Sequence, residues 1–85
     1  MLLLLLGCAC LPECDDYCEM RADCVSDAID ANGSTWSDWT GFADRDAYVD
    51  ACLAPFEESH DQGTPRVELQ GTCRDAQALA CSDGG

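Results

Sequence analysis

Eight cysteines in 85 residues constrain this chain more than any other feature, and three of them fall in a single helical run. Residues 13–29 read ECDDYCEMRADCVSDAI. At 3.6 residues per turn, Cys14, Tyr17, Cys18, Arg21, Cys24, Val25, Ala28 and Ile29 share one face, apolar at every position but Arg21. Asp15, Glu19, Asp23 and Asp27 form the opposite stripe, each four residues from the next. The spacing predicts a helix from about Pro12 to Ala31 that turns thiols inward and carboxylates to water, ended by the turn dipeptide Asn32-Gly33. Like charges four apart cost a few tenths of a kcal/mol per pair. Such a helix needs support from its neighbours.

Disulfides are the expected support. A chain this short buries a small fraction of its surface, and a cysteine content this high is that of a disulfide scaffold in an oxidising compartment. Asp44 is a good N-cap for a second helix with Tyr48, Val49, Cys52, Leu53 and Phe56 on its apolar face, ended or kinked by Pro55. Residues 57–63 read as a polar loop. Thr64-Pro65 opens a third helix carrying Leu69, Cys73, Ala76 and Ala80, with Gly71-Thr72 as its weak point and Cys81 close to Cys73 around the helix. No stretch alternates like a strand. The expected fold is all-α: a small two- or three-helix domain over residues 13–82, stapled by disulfides, with a flexible tail at 83–85.

Between the first two helices, Trp36, Trp39 and Phe42 recur every three residues in a loop with one helical turn begun by Thr35. They are either a lid on a thin core or an exposed aromatic surface for a protein partner.

The chain opens MLLLLLGCAC. Five leucines cannot span a bilayer, which takes roughly 20 apolar residues, but they match the end of a signal peptide's hydrophobic region. Leu5-Leu6-Gly7-Cys8 resembles the lipobox of bacterial lipoprotein precursors. That resemblance implies cleavage before Cys8, a diacylglycerol on its thiol and acylation of its amine. It makes residues 1–7 a truncated signal-peptide remnant, 8–12 a tether, and the membrane a partner through a lipid anchor at Cys8. No charged segment precedes the leucines, so translation is expected to start upstream of Met1. The whole resembles the small cysteine-rich lipoproteins of Gram-negative bacteria. With Ala9 after the lipobox cysteine, that resemblance implies an outer-membrane or periplasmic-face location.

Lipidation of Cys8 leaves seven cysteines, and Cys10, in the tether, is the expected odd one. The other six, Cys14, Cys18, Cys24, Cys52, Cys73 and Cys81, allow fifteen pairings. If both later helices run antiparallel to the first, the bridges are nested: Cys24 with Cys52, Cys18 with Cys73, Cys14 with Cys81. Arg21, the one cation on the apolar face, is expected to pair with Asp50 or Glu68.

The net charge is −13, from 17 acids against four arginines. It sets aside nucleic acid, whose binding needs neutralised phosphates, and docking on anionic lipid by charge. The acid excess serves solubility, or capture of cations or a basic partner. The only histidine lies in Ser59-His60-Asp61, and three consecutive side chains cannot converge as a nucleophile, base and orienter. Cysteines spaced C-x3-C and C-x7-C do not form zinc knuckles, and a redox C-x-x-C is absent. No catalytic, cofactor-binding or metal residues are therefore assigned. The expected function is non-enzymatic: an envelope-tethered structural or interaction lipoprotein. The alternatives are a secreted cysteine-rich effector or toxin-like peptide, and an acidic metal-binding envelope protein.

Overall fold

A computed structural model describes residues 11–81 and gives four helices in order: α1 (Pro12–Asn32), α2 (Trp36–Thr40), α3 (Arg45–Asp61) and α4 (Arg66–Gln77). No strand occurs among the described residues. Three long helices and a single helical turn thus form an all-α domain held by three disulfides. Cys8, Cys10, the segment 1–7 and the tail 83–85 lie outside the described residues.

Local chemistry explains most helix ends. Pro12 sits at the start of α1, where its missing N–H costs nothing. Gly33 stops α1 in the left-handed conformation (φ 62°), with its N–H on the Asp30 carbonyl. Thr35 caps α2, its hydroxyl accepting from Asp38 N–H at 3.1 Å, and Asp44 caps α3 by accepting from Ala47 N–H at 2.9 Å. Leu11 offers α1 no side-chain cap. The task passes to α4: Gln70 accepts the orphan Glu13 N–H at 3.0 Å, and Gln77 donates back to the Glu13 carbonyl and carboxylate at 3.0 and 2.9 Å. α4 runs through Gly71-Thr72, the weak point in its sequence, without a break.

Two further boundaries differ from expectation. α3 does not end at Pro55 but continues to Asp61, so the segment read as the loop 57–63 is mostly helix. Proline removes one intrahelical hydrogen bond, a cost in the range of about 3 kcal/mol. Tertiary contacts on both sides of it oppose that cost: Cys52 is bonded to Cys18, and the Phe56 ring meets Tyr17 edge-on at 6.2 Å. Pro55 itself is exposed. Leu11, assigned to a tether, is 3 % exposed and belongs to the core.

α1 is the axis on which the others pack. Its buried stripe is Cys14, Cys18, Ala22, Val25 and Ile29. Leu11 and Cys14 join Leu69 and Cys73 of α4 in one cluster; Cys18 and Ala22 join Val49 of α3 in a second. α3 runs antiparallel to α1, since Arg45 reaches Glu19 and Asp23, Tyr48 meets Arg21, Cys52 meets Cys18 and Phe56 meets Tyr17. α4 runs parallel to α1, because Cys73 joins Cys14 and Cys81 joins Cys24.

The bridges are Cys14–Cys73, Cys18–Cys52 and Cys24–Cys81, with Cα separations of 4.8, 5.8 and 5.7 Å. All six expected cysteines are used, but each expected partner is wrong. The error lies in helix direction. Residues 62–65 are a short connection between α3 and α4 and force those helices antiparallel, so the chain runs up, down, up and its last helix parallels its first. Cys52 also falls lower along α1 than expected, because it is Arg45, at the start of α3, that lies beside Glu19 and Asp23.

Candidate functional site

Cysteine and alanine at the helix contacts let α1 approach its neighbours closely, and that decides where the large side chains go. The fully buried core is made of small residues: Cys14, Cys18, Ala22 and Cys73 are 0 % exposed. None of the six aromatic residues is fully buried. Five of them instead form a connected surface. The Tyr48 ring lies 5.6 Å from Trp36 and 5.9 Å from Phe42, and Tyr17 meets Phe56. Arg21 joins the two groups, donating from Nε to the Tyr48 hydroxyl at 3.4 Å and from a terminal nitrogen to the Tyr17 hydroxyl at 3.5 Å, with its guanidinium carbon 5.9 Å from the Tyr17 ring centre.

All of these residues except Trp36 line an open groove of about 370 Å³ between α1 and α3. Tyr17 and Arg21 come from α1; Tyr48, Ala51, Cys52, Pro55 and Phe56 come from α3; Phe42 walls one end. Its size suits several apolar side chains or one small molecule. The Cys18–Cys52 bridge fixes the spacing of its two helical walls. The hydrogen bond Arg21 donates to Tyr48 holds its guanidinium charged more firmly than usual; burial opposes this, and the hydrogen bond it donates to Tyr17 adds to it. Arg21 was expected beside Asp50 or Glu68; its hydrogen bonds to Tyr48 and Tyr17 place it beside two phenols.

The structure separates the three aromatic residues expected to act together. Trp36 is half-buried and packs on the Cys18–Ala22–Val49 cluster, as a lid would. Phe42, 38 % exposed, belongs to the groove, and Trp39, 45 % exposed, points outward. The rest of the groove was not foreseen. Tyr17 and Arg21, four apart on one helix face, were the available signal, and Ala51 and Pro55 gave none.

The acidic stripe of α1 is bridged by Arg45, whose guanidinium lies 2.7 Å from Glu19 and 2.8 Å from Asp23. The hydrogen bonds Arg45 donates, to Asp23 first and then to Glu19, raise its basicity. Asp15 has no such relief: burial first, then the charges of Glu19 and Asp16, push its carboxyl above the ordinary carboxylate range. Ser59, His60 and Asp61 occupy the last turn of α3, about 100° apart around the helix, and Ser59 is hydrogen-bonded to Thr64 at 2.8 Å. Among the described residues no three His, Cys, Asp or Glu side chains are grouped to hold a metal ion, and no helix is long and apolar enough to cross a membrane.

Three disulfides in one small domain point to an oxidising, extracytoplasmic setting. The chain matches no known family model, no curated protein and no solved structure.

Proposed function

We propose that this protein is a non-enzymatic interaction module of the bacterial envelope, tethered by a lipid on Cys8 at the outer membrane or periplasmic face. The observation that carries the interaction reading is the connected aromatic surface. Aromatic side chains are the largest apolar groups a small core can use, yet here disulfides, alanines and aliphatic residues form the core and four of the six aromatics line an open groove. Aromatic residues and arginine on a rigid surface are the usual anchors of a protein interface. The resemblance at Leu5-Leu6-Gly7-Cys8 supports the tether.

Two measurements test the two halves. The intact mass of protein isolated from envelopes should exceed the chain beginning at Cys8 by several hundred daltons of acyl groups; an unacylated chain refutes the tether. A photo-crosslinking residue at position 42 should give a discrete protein adduct in intact cells. The same residue at Val67, 79 % exposed on α4, should give none. Equal labelling from both positions, or none from position 42, refutes the interaction reading.

A further inference from the structure

We infer that the partner of the α1/α3 groove is a basic amphipathic helix, supplied by another protein, that lays its apolar face between Tyr17 and Tyr48. This rests on the interaction reading above and names the partner's chemistry.

The shape selects a helix. The groove has two antiparallel helical walls, into which the side-chain ridges of a third helix can pack. No strand edge exists among the described residues to pair with an extended peptide. From Tyr48 to Phe56 the floor runs eight residues, about 12 Å or just over two helical turns. Apolar anchors at i, i+3 or i+4, and i+7 cover that length, and about 370 Å³ accommodates them.

The charge selects a basic partner. The chain carries −13, and Arg45 and Arg74 are already committed to Glu19, Asp23 and Glu13. Glu58 is exposed, three residues past Pro55 and seven past Ala51, so it continues the groove side of α3. The flanks of an occupant therefore meet a negative field. A second copy of this chain would bring a further −13 to the same surface, and anionic lipid is repelled likewise. Among the described lining residues Arg21 is the charged one, so the residue seated above it is not basic even though the partner's flanks are; an aromatic or aliphatic anchor satisfies this.

The test titrates isotope-labelled full chain with three helical-length peptides and follows amide and aromatic resonances. One is a Lys/Leu peptide with apolar residues at helical spacing, one its Glu/Leu counterpart, and one a scrambled Lys/Leu peptide. The first should shift Tyr17, Tyr48, Ala51 and Phe56 and bind at least about tenfold tighter than either of the others, weakening as salt is raised. Ala51→Arg, which fills the groove, and Phe42→Ser, which removes its end wall, should each weaken binding about tenfold or more while the disulfide map and helix content stay unchanged. Equal binding of the scrambled peptide, tighter binding of the Glu/Leu peptide, or shifts away from the groove overturn the inference. So do concentration-dependent shifts without peptide, which give the groove to a second copy, and contacts from Leu2 to Leu6, which give it to this chain's own apolar segment. If no peptide binds while the position-42 crosslink persists, this inference falls and the interaction reading stands. If the crosslink fails, that reading falls and the titration still decides the groove.

Discussion

Replacing Cys18 and Cys52 together by alanine should remove much of the stability of this domain. The bridge spans 34 residues, which as a lone crosslink is worth about 3.8 kcal/mol in the chain-entropy model. It does not act alone. Cys14–Cys73 closes a ring of 59 residues that Cys18–Cys52 divides into arms of 34 and about 25. Two arms in parallel behave as one loop of about 14 residues, which lowers the figure to about 3 kcal/mol. Losing the fully buried Cys18 sulfur adds about 1 kcal/mol for the space left between Ala22 and Val49. The expected loss is about 4 kcal/mol, set against a total of roughly 4–13 kcal/mol for a domain of this length. Thermal unfolding followed by far-ultraviolet circular dichroism should show the midpoint falling by at least about 15 °C. A loss below about 1 kcal/mol would mean that α3 is held to α1 by something other than this bridge, and the packing described here would be wrong.

Pro55→Ala should restore the missing hydrogen bond inside α3 and, after the extra freedom of the unfolded chain, raise stability by about 2 kcal/mol; a loss in chemical denaturation would mean the helix depends on the proline ring. Arg45→Gln should cost no more than about 1 kcal/mol, because the pairs with Glu19 and Asp23 are largely exposed, and the difference should shrink in high salt. The Asp15 carboxyl should titrate above the ordinary carboxylate value and move down in Glu19→Gln, as read by nuclear magnetic resonance. A raised acid pKa means the folded state holds the proton more tightly. This group's contribution to stability is therefore most favourable below its unfolded pKa and declines as pH rises through its folded pKa. No downward movement in the variant would contradict the packing of the acidic stripe.

Features with a local cause were legible in the sequence. Three cysteines and their neighbours define the inward face of α1; Gly33, Thr35 and Asp44 mark ends because each satisfies backbone groups within a few residues. The missed features depend on distant partners. Pro55 is tolerated because Cys18 and Tyr17 hold the helix on either side of it. The disulfide pairing failed for a related reason. Reading residues 57–63 as loop made the connection to α4 seem long and left its direction open, whereas the actual link, 62–65, forces the up-down-up order. The groove was the least legible feature. It exists because small residues and bridges bring the helices close and leave Tyr17, Tyr48 and Phe56 at the contact's edge.

Connectivity is the most direct test of this architecture. Trypsin cuts after Arg21, Arg45, Arg66 and Arg74, giving peptides 1–21 (8–21 after cleavage before Cys8), 22–45, 46–66, 67–74 and 75–85. Without reduction, the structure requires 22–45 to be joined to 75–85 alone, through Cys24–Cys81. A separate species must hold 1–21, 46–66 and 67–74 together. Further cleavage after Tyr17 should then leave Cys14 with Cys73 and Cys18 with Cys52. Finding 22–45 joined to 46–66 would instead mean Cys24–Cys52, and would contradict both the direction of α4 and the register of α3.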